Sequence, residues 1–297
     1  MINIEKLLEL NSSGLTQKQI ATELNVSRAT VQRALRKLNV STPNYHNSLK
    51  FDNTVFDSID TEEKAYWLGF LYADGNVSST INNVELSLSV TDTEHLEKYR
   101  KFLKNESKVK IGKVTCNGKE FKRCRLSVTN KYFKEQLIKV GCVPNKSLIL
   151  EFPKAIFSND TLKYHFIRGY VDGDGCLTYD SRKNGSWRFS ITSASDVFIQ
   201  QISNFLQSYN LHPLVYKEGN YYTIHIGKLS EIYFIFQHLY KDSSYFLKRK
   251  YEKFCPLVEK FTRQNFVNSV KGRENHKTEP SPYREGAETL NETPTEI

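Results

Sequence analysis

A chain of 297 residues, 39% hydrophobic and 25% charged, holds a substantial core in one large domain or two to three small ones. Its net charge of +9 is uneven: from Arg273 onward three basic residues face six glutamates, a net of −3, which leaves +12 on the rest and favours a polyanionic partner. A membrane span, a signal peptide and a disulfide or zinc scaffold are excluded. No run approaches ~20 apolar residues, Glu5 and Glu9 break the N-terminal apolar pattern, and the five cysteines lack CxxC spacing. An intracellular protein with reduced thiols is expected, in a prokaryotic or phage-infected cytoplasm or a similar compartment.

Residues 1–40 form the first predicted unit. Ile4, Leu7, Leu8 and Leu10 suggest a helix stopped by NSSG; Thr16 then caps TQKQIATEL, Asn25 sits in a turn, and Ser27 caps SRATVQRALRKL. The buried set is Ile20, Ala21, Leu24, Val26, Val31 and Leu35. This register resembles a DNA-binding helix-turn-helix with 27–38 as recognition helix, which directs Arg28, Thr30, Gln32, Arg33 and Arg36 toward a groove. Residues 41–59 are polar, contain Pro43 and read as a linker; its His46-Asn47 pair lacks companion metal ligands.

From 60 to 264 the chain repeats itself. Asp74 aligns with Asp174 at an offset of 100, Thr91 with Thr192 at 101, Lys146 with Lys248 at 102 and Leu103 with Leu206 at 103. Each copy reads as helix, two strands, helix, two strands and a closing helix, over 60–157 and 158–264. In VELSLSVT, Val84, Leu86, Leu88 and Val90 alternate with polar residues, and Trp187, Phe189 and Ile191 alternate with Arg188, Ser190 and Thr192. Asn117-Gly118 and Asn184-Gly185 supply hairpin turns. Antiparallel sheets with one apolar and one basic, polar face are expected. The last stretch, 265–297, has almost no apolar content and reads as a disordered tail.

The repeats share a nonapeptide, WLGFLYADG (67–75) and IRGYVDGDG (167–175). Gly69 and Ala73, and Gly169 and Gly173, are spaced four apart, so two helices can pack backbone to backbone. Gly75 and Gly175 suit a left-handed residue at each helix end. Asp74 and Asp174 then emerge together at two helix C-termini, where they repel each other and both helix dipoles. Cations relieve that repulsion, and carboxylates with backbone carbonyls suit Mg²⁺. An EF-hand reading of DGDGCLTYD fails, because Cys176 stands at the third ligand position.

These paired motifs resemble those of the LAGLIDADG homing endonucleases in their single-chain, two-motif form. The resemblance implies an α+β fold: a pseudo-symmetric duplicated αββαββα core whose antiparallel sheets straddle DNA, here behind a small all-α helix-turn-helix domain. It implies Mg²⁺-dependent hydrolysis of both strands, two or more ions, 3′ overhangs, a monomer, and a long non-palindromic duplex target. By position it assigns Asp74 and Asp174, with the carbonyls of Ala73 and Gly173, to metal. Lys146 and Lys248 become catalytic, with Lys250 as substitute for Lys248, and Asp92 and Ser193 become supporting polar residues. Arg125, Arg188, Ser190 and Thr192 would read bases, while Lys110, Lys113, Lys119 and Lys122 would contact phosphates. Tyr72 and Asp172 differ at the sixth motif position, and Arg168 stands where a small residue is usual; both departures suggest unlike halves. A non-cleaving DNA-binding regulator, or a maturase acting on intron RNA, is the alternative on the same fold.

Overall fold

The computed structural model describes residues 2–13, 15–40, 50–116, 118–182 and 185–264. The head comprises α1 (Ile4–Ser12), α2 (Gln17–Glu23) and α3 (Arg28–Lys37). Thr16 opens α2 in a capping box closed by Gln19, Ser27 opens α3 by accepting from the Thr30 amide, and Asn25 turns between them at φ 49°. Leu7, Ile20, Ala21, Val31 and Leu35 make a separate core. Leu24 and Val26, expected inside, are only half-buried, because the turn carries them to its margin.

The first repeat runs α4 (Glu62–Asp74), β1 (Gly75–Val77), β2 (Asn83–Ser89), α5 (Thr93–Phe102), β3 (Lys110–Cys116), β4 (Lys119–Thr129) and α6 (Lys131–Lys139). The second runs α7 (Asp160–Asp174), β5 (Gly175–Asp180), β6 (Ser186–Ser193), α8 (Asp196–Gln207), β7 (Leu214–Glu218), β8 (Tyr221–Ile226) and α9 (Leu229–Tyr240), followed by α10 (Lys248–Tyr251) and helical residues 255–264. The duplicated αββαββα core is therefore present. Its two antiparallel sheets have equivalent orders, β1-β2-β4-β3 and β5-β6-β8-β7.

The helices α4 and α7 pack against each other at the centre. Each begins at a capped, acidic first turn: Thr61 accepts from the Lys64 amide ahead of Glu62 and Glu63, and Asn159 accepts from the Leu162 amide ahead of Asp160. Every residue from Ala65 to Tyr72 is buried, so α4 is apolar around its circumference instead of along one stripe. Glycine makes the approach possible. A methyl group on Gly69 would lie 1.9 Å from the Phe166 carbonyl oxygen, and one on Gly169 2.0 Å from that of Tyr66.

Two expectations need correction here. Gly75 and Gly175 are not left-handed caps: their φ values are −73° and −88°, and each helix passes directly into an extended strand. Glycine is needed because a Cβ at Gly75 would sit 2.5 Å from the Leu71 carbonyl oxygen. Nor is the stretch from 50 to 59 a free linker. Phe56 is fully buried between Phe102 and Phe133, and the Asp52 amide donates to the Leu103 carbonyl at 2.7 Å. The expected turns at Asn117 and Asn184, the His46-Asn47 pair and the 265–297 tail lie outside the described residues. No described helix is long and apolar enough to cross a membrane.

Candidate metal and nucleic-acid site

The two motif acids end the two central helices. Asp74 is half-buried, and its Oδ2 would be 3.2 Å from a Cβ added to Gly173 of the other motif. Burial, then the neighbouring Asp174 charge, push its carboxyl up to about 6. Burial also raises Asp174, which is more open, while Lys146 and Lys250 pull it back. The pair is thus held in a state that a cation relieves. An all-oxygen donor set fits a hard divalent ion such as Mg²⁺. No cluster of three or more His, Cys, Asp or Glu residues suited to a metal occurs among the described residues, so the two carboxylates are the only acidic ligands offered there.

Each acid has a lysine beside it. Lys146 donates to the Gly75 carbonyl and, at 3.4 Å, to that of Ala73, one of the carbonyls expected to face metal. Its counterpart is Lys250, which donates to the Gly175 carbonyl. Lys248 points away: its side chain is 78% exposed and lies 3.8 Å from Glu252. The half-turn between 248 and 250 on α10 decides which side chain faces the acids.

The irregular motif positions explain how that phase is set. Asp172 is fully buried, accepting from Tyr66 and Tyr240 hydroxyls at 2.8 and 2.7 Å and from the Leu247 amide at 2.6 Å. Arg168 is buried too, donating to the carbonyls of Tyr245 and Leu239 at 2.8 and 2.7 Å and to Glu62 at 2.7 Å. Together they fasten the segment from 239 to 247 that ends at α10. In the first repeat Tyr72 does the equivalent work, donating to the Val140 carbonyl at 2.7 Å on the segment that leads to Lys146.

The supporting polar residues differ. Ser193 lies with Lys146, Tyr170, Asp174 and Thr192 around a cavity of about 210 Å³. Asp92 is buried in a two-pronged ion pair with Arg249, at 2.9 to 3.1 Å. Sequence reasoning missed Tyr170 and Arg249. Tyr170 was detectable, since it lies one helical turn before Asp174 and so on the same face. Arg249 was not, because its partner is 157 residues away.

Strand register sorts the expected DNA contacts. Arg125 pairs with Ser87 and Lys110, opposite the buried face carrying Cys124, Leu126 and Val128. Arg188, Ser190 and Thr192 likewise share the polar face of the second sheet, facing Thr178, His225 and Thr223 across the strands. Lys119 pairs with Cys116 and falls on the Arg125 side. Lys113 and Lys122 pair with each other in phase with Cys124, on the opposite side, and Lys113 binds Glu120 at 2.8 Å. They do not share the face of Arg125. In the head, Arg28, Gln32, Arg33 and Arg36 are exposed on α3, whereas Thr30 is half-buried and bonded to the Ser27 hydroxyl at 2.8 Å.

Residues 162–249 match a LAGLIDADG-like domain and residues 2–42 an HTH domain. An uncharacterized protein of Methanocaldococcus jannaschii is 27% identical over 176 residues, 58% of this chain and 64% of that protein, so the match spans under two thirds of its length. Among solved structures, the homing endonuclease I-WcaI bound to its DNA recognition sequence is 11% identical, with 65% of this chain and 87% of that one covered and a TM-score of 0.48. The LAGLIDADG meganuclease I-AabMI bound to uncleaved DNA is 14% identical, covering 67% and 91% with a TM-score of 0.44. The N-terminal LAGLIDADG domain of DUF199/WhiA is also 14% identical, covering 64% and 90% at 0.41. These three likenesses concern the arrangement of elements and not chemistry. With its two motifs, duplicated core and matched domains, the chain is a LAGLIDADG-fold protein carrying an N-terminal helix-turn-helix domain.

Proposed function

We propose that the protein is a site-specific double-strand DNA endonuclease dependent on Mg²⁺. The observation that carries this reading is the convergence of Asp74 and Asp174 at the ends of two packed helices, each with a lysine alongside. The two carboxylates and the Gly173 carbonyl would hold the metal, with the Ala73 carbonyl available once Lys146 yields it. Bound Mg²⁺ supplies polarisation of the scissile phosphate and a source of hydroxide at neutral pH. Lys146 and Lys250 offset phosphate charge, and cleavage of one phosphodiester per strand leaves 3′ overhangs.

Specificity then comes from the polar sheet faces. Arg125 and Arg188 suit guanine edges, while Ser190 and Thr192 accept or donate to several bases. Lys110 and Lys119 suit phosphates. Because the two sheets carry different residues, the target is a long, non-palindromic duplex read by a monomer. The helix-turn-helix binds a second site, through Arg28, Gln32, Arg33 and Arg36 on α3, and tethering raises overall affinity.

One observation favours a second reading, a DNA-binding regulator that does not cut. Lys146 already rests on the Ala73 and Gly75 carbonyls, so the lysines themselves relieve the acids' repulsion. The deciding experiment takes duplexes recovered by this protein from a randomised library. They are incubated with Mg²⁺ and wild type, Asp74→Asn or Asp174→Asn. Double-strand breaks in wild type alone support the endonuclease; tight binding without breaks in any of the three supports the regulator.

A further inference from the structure

The second hairpin of the first repeat is longer than its counterpart. Gly75 pairs with Leu86 and Leu86 with Leu126; Gly175 pairs with Ile191 and Ile191 with Ile224, so Leu126 and Ile224 hold equivalent places. Phe121 precedes Leu126 by the same interval as Gly219 precedes Ile224. At Gly219, φ 62°, the second repeat has already turned between β7 and β8, whereas in the first repeat Val114 still pairs with Phe121 and Thr115 with Glu120. This arm also outruns its own sheet, because β2 ends at Ser89, opposite Arg123.

The arm has two unlike faces. One carries Lys113, Thr115, Glu120 and Lys122, with Lys113 bound to Glu120. The other carries Val114 and Phe121, 46% and 51% exposed, in phase with Arg123 and Arg125. The apolar pair therefore stands on the side of the sheet away from the core, between Lys119 and the two arginines, and neither residue packs into the central cluster. Next to Val114 along this face, Gly112 leaves open space where a side chain would stand. Arg123 is drawn back, donating to the Ser87 carbonyl at 2.9 Å. Together with Ser89 and Arg123, the pair walls an opening of about 560 Å³.

Cations around an exposed apolar pair match a polyanion that presents an apolar group. Duplex DNA has one in its major groove, the 5-methyl group of thymine. Resting on the reading above that the polar sheet faces meet duplex DNA, we propose that Val114 and Phe121 form a subsite for a thymine methyl, a contact the shorter second hairpin lacks. At about 3.4 Å per residue, Phe121 lies about 14 Å along β4 from Arg125. The thymine is then within about half a helical turn of the base pair that Arg125 reads.

The test measures binding in EDTA, so cutting plays no part. Each thymine of a recovered target near the base pair relaxed by Arg125→Ala is replaced in turn by uracil, which removes one methyl and changes nothing in the protein. Wild type is expected to lose about fourfold at one position, the scale of one methyl group returned to water. Phe121→Gln should bind the thymine and uracil duplexes alike while keeping the base preference set by Arg125, which shows that the arm remains folded. If that preference is lost, Val114→Thr, of the same shape, takes its place and should narrow the uracil loss. A target without thymine in that stretch, no uracil substitution that weakens binding, or a loss undiminished in the folded variant overturns the proposal and leaves the endonuclease reading intact. Failure of wild type to recover any duplex overturns both.

Discussion

The repeats solve one positioning problem with different residues. In the first, Tyr72 reaches the Val140 carbonyl and so steadies the segment that delivers Lys146. In the second, Asp172 and Arg168 bind the segment from 239 to 247 and deliver Lys250. One hydroxyl suffices where the chain turns tightly behind α6; a buried ionic network is used where a longer segment crosses from α9 to α10. The comparison teaches that the sixth motif position is tied to the lysine, whereas the eighth is tied to the metal site.

The largest effect expected is on cleavage. Asp74→Asn and Asp174→Asn should each lower the rate about a thousandfold or more while leaving metal-free DNA binding intact, measured by single-turnover assays and gel shift. Inequality between the two would sharpen the contrast between halves. Next is the helix contact: Gly69→Ala or Gly169→Ala should cost about 3 kcal/mol or more, since the new methyl meets backbone in the partner helix. Gly112→Ala, with open space around it, should move the melting temperature little.

Arg168→Met should cost about 3 kcal/mol by thermal unfolding, because it removes the charge paired with Glu62 and the donor to two carbonyls. It should also lower cleavage by releasing Lys250, an effect that Tyr72→Phe would mirror through Lys146. A pH comparison follows from Asp74. Its carboxyl is raised from 3.8 to about 6, so the folded, metal-free protein binds the extra proton between those values. Stability is therefore lost as pH rises through about 6. In EDTA, Asp74→Asn should stabilise the protein by up to about 3 kcal/mol at pH 8 and by about half as much at pH 5, with Mg²⁺ reversing the pH 8 difference. Smallest is the sheet contrast. Lys113→Ala should weaken target binding no more than about twofold, whereas Arg125→Ala should weaken it about tenfold or more and relax specificity at one base pair.

Much of the fold was legible because it is written in local patterns. The offset near 100 residues, the alternation of Val84, Leu86 and Leu88, and the caps Thr16 and Ser27 each depend on neighbours within a few positions. The small residues Gly69 and Gly169 announced a close helix pair for the same reason. What stayed hidden depends on distant partners or on phase. Lys250 replaces Lys248 because a bond from the Leu247 amide to Asp172, 75 residues away, fixes how α10 starts. Lys122 falls on the far side because it stands three residues from Arg125 in one strand, and Lys113 follows because the β3–β4 register sets it opposite Lys122. The pairing of Asp92 with Arg249 joins opposite halves of the chain. Gly75 looked like a left-handed cap, but the constraint comes from its own helix, where Leu71 leaves no room for a side chain.

The most direct measurement of the central claim is anomalous diffraction from crystals of the protein with its recovered target duplex and Mn²⁺ in place of Mg²⁺. The account predicts anomalous density between the carboxylates of Asp74 and Asp174, with Lys146 shifted off the Ala73 carbonyl. Density absent from that position in a DNA-bound crystal, with the lysine ammoniums still resting on the helix-end carbonyls, would contradict it.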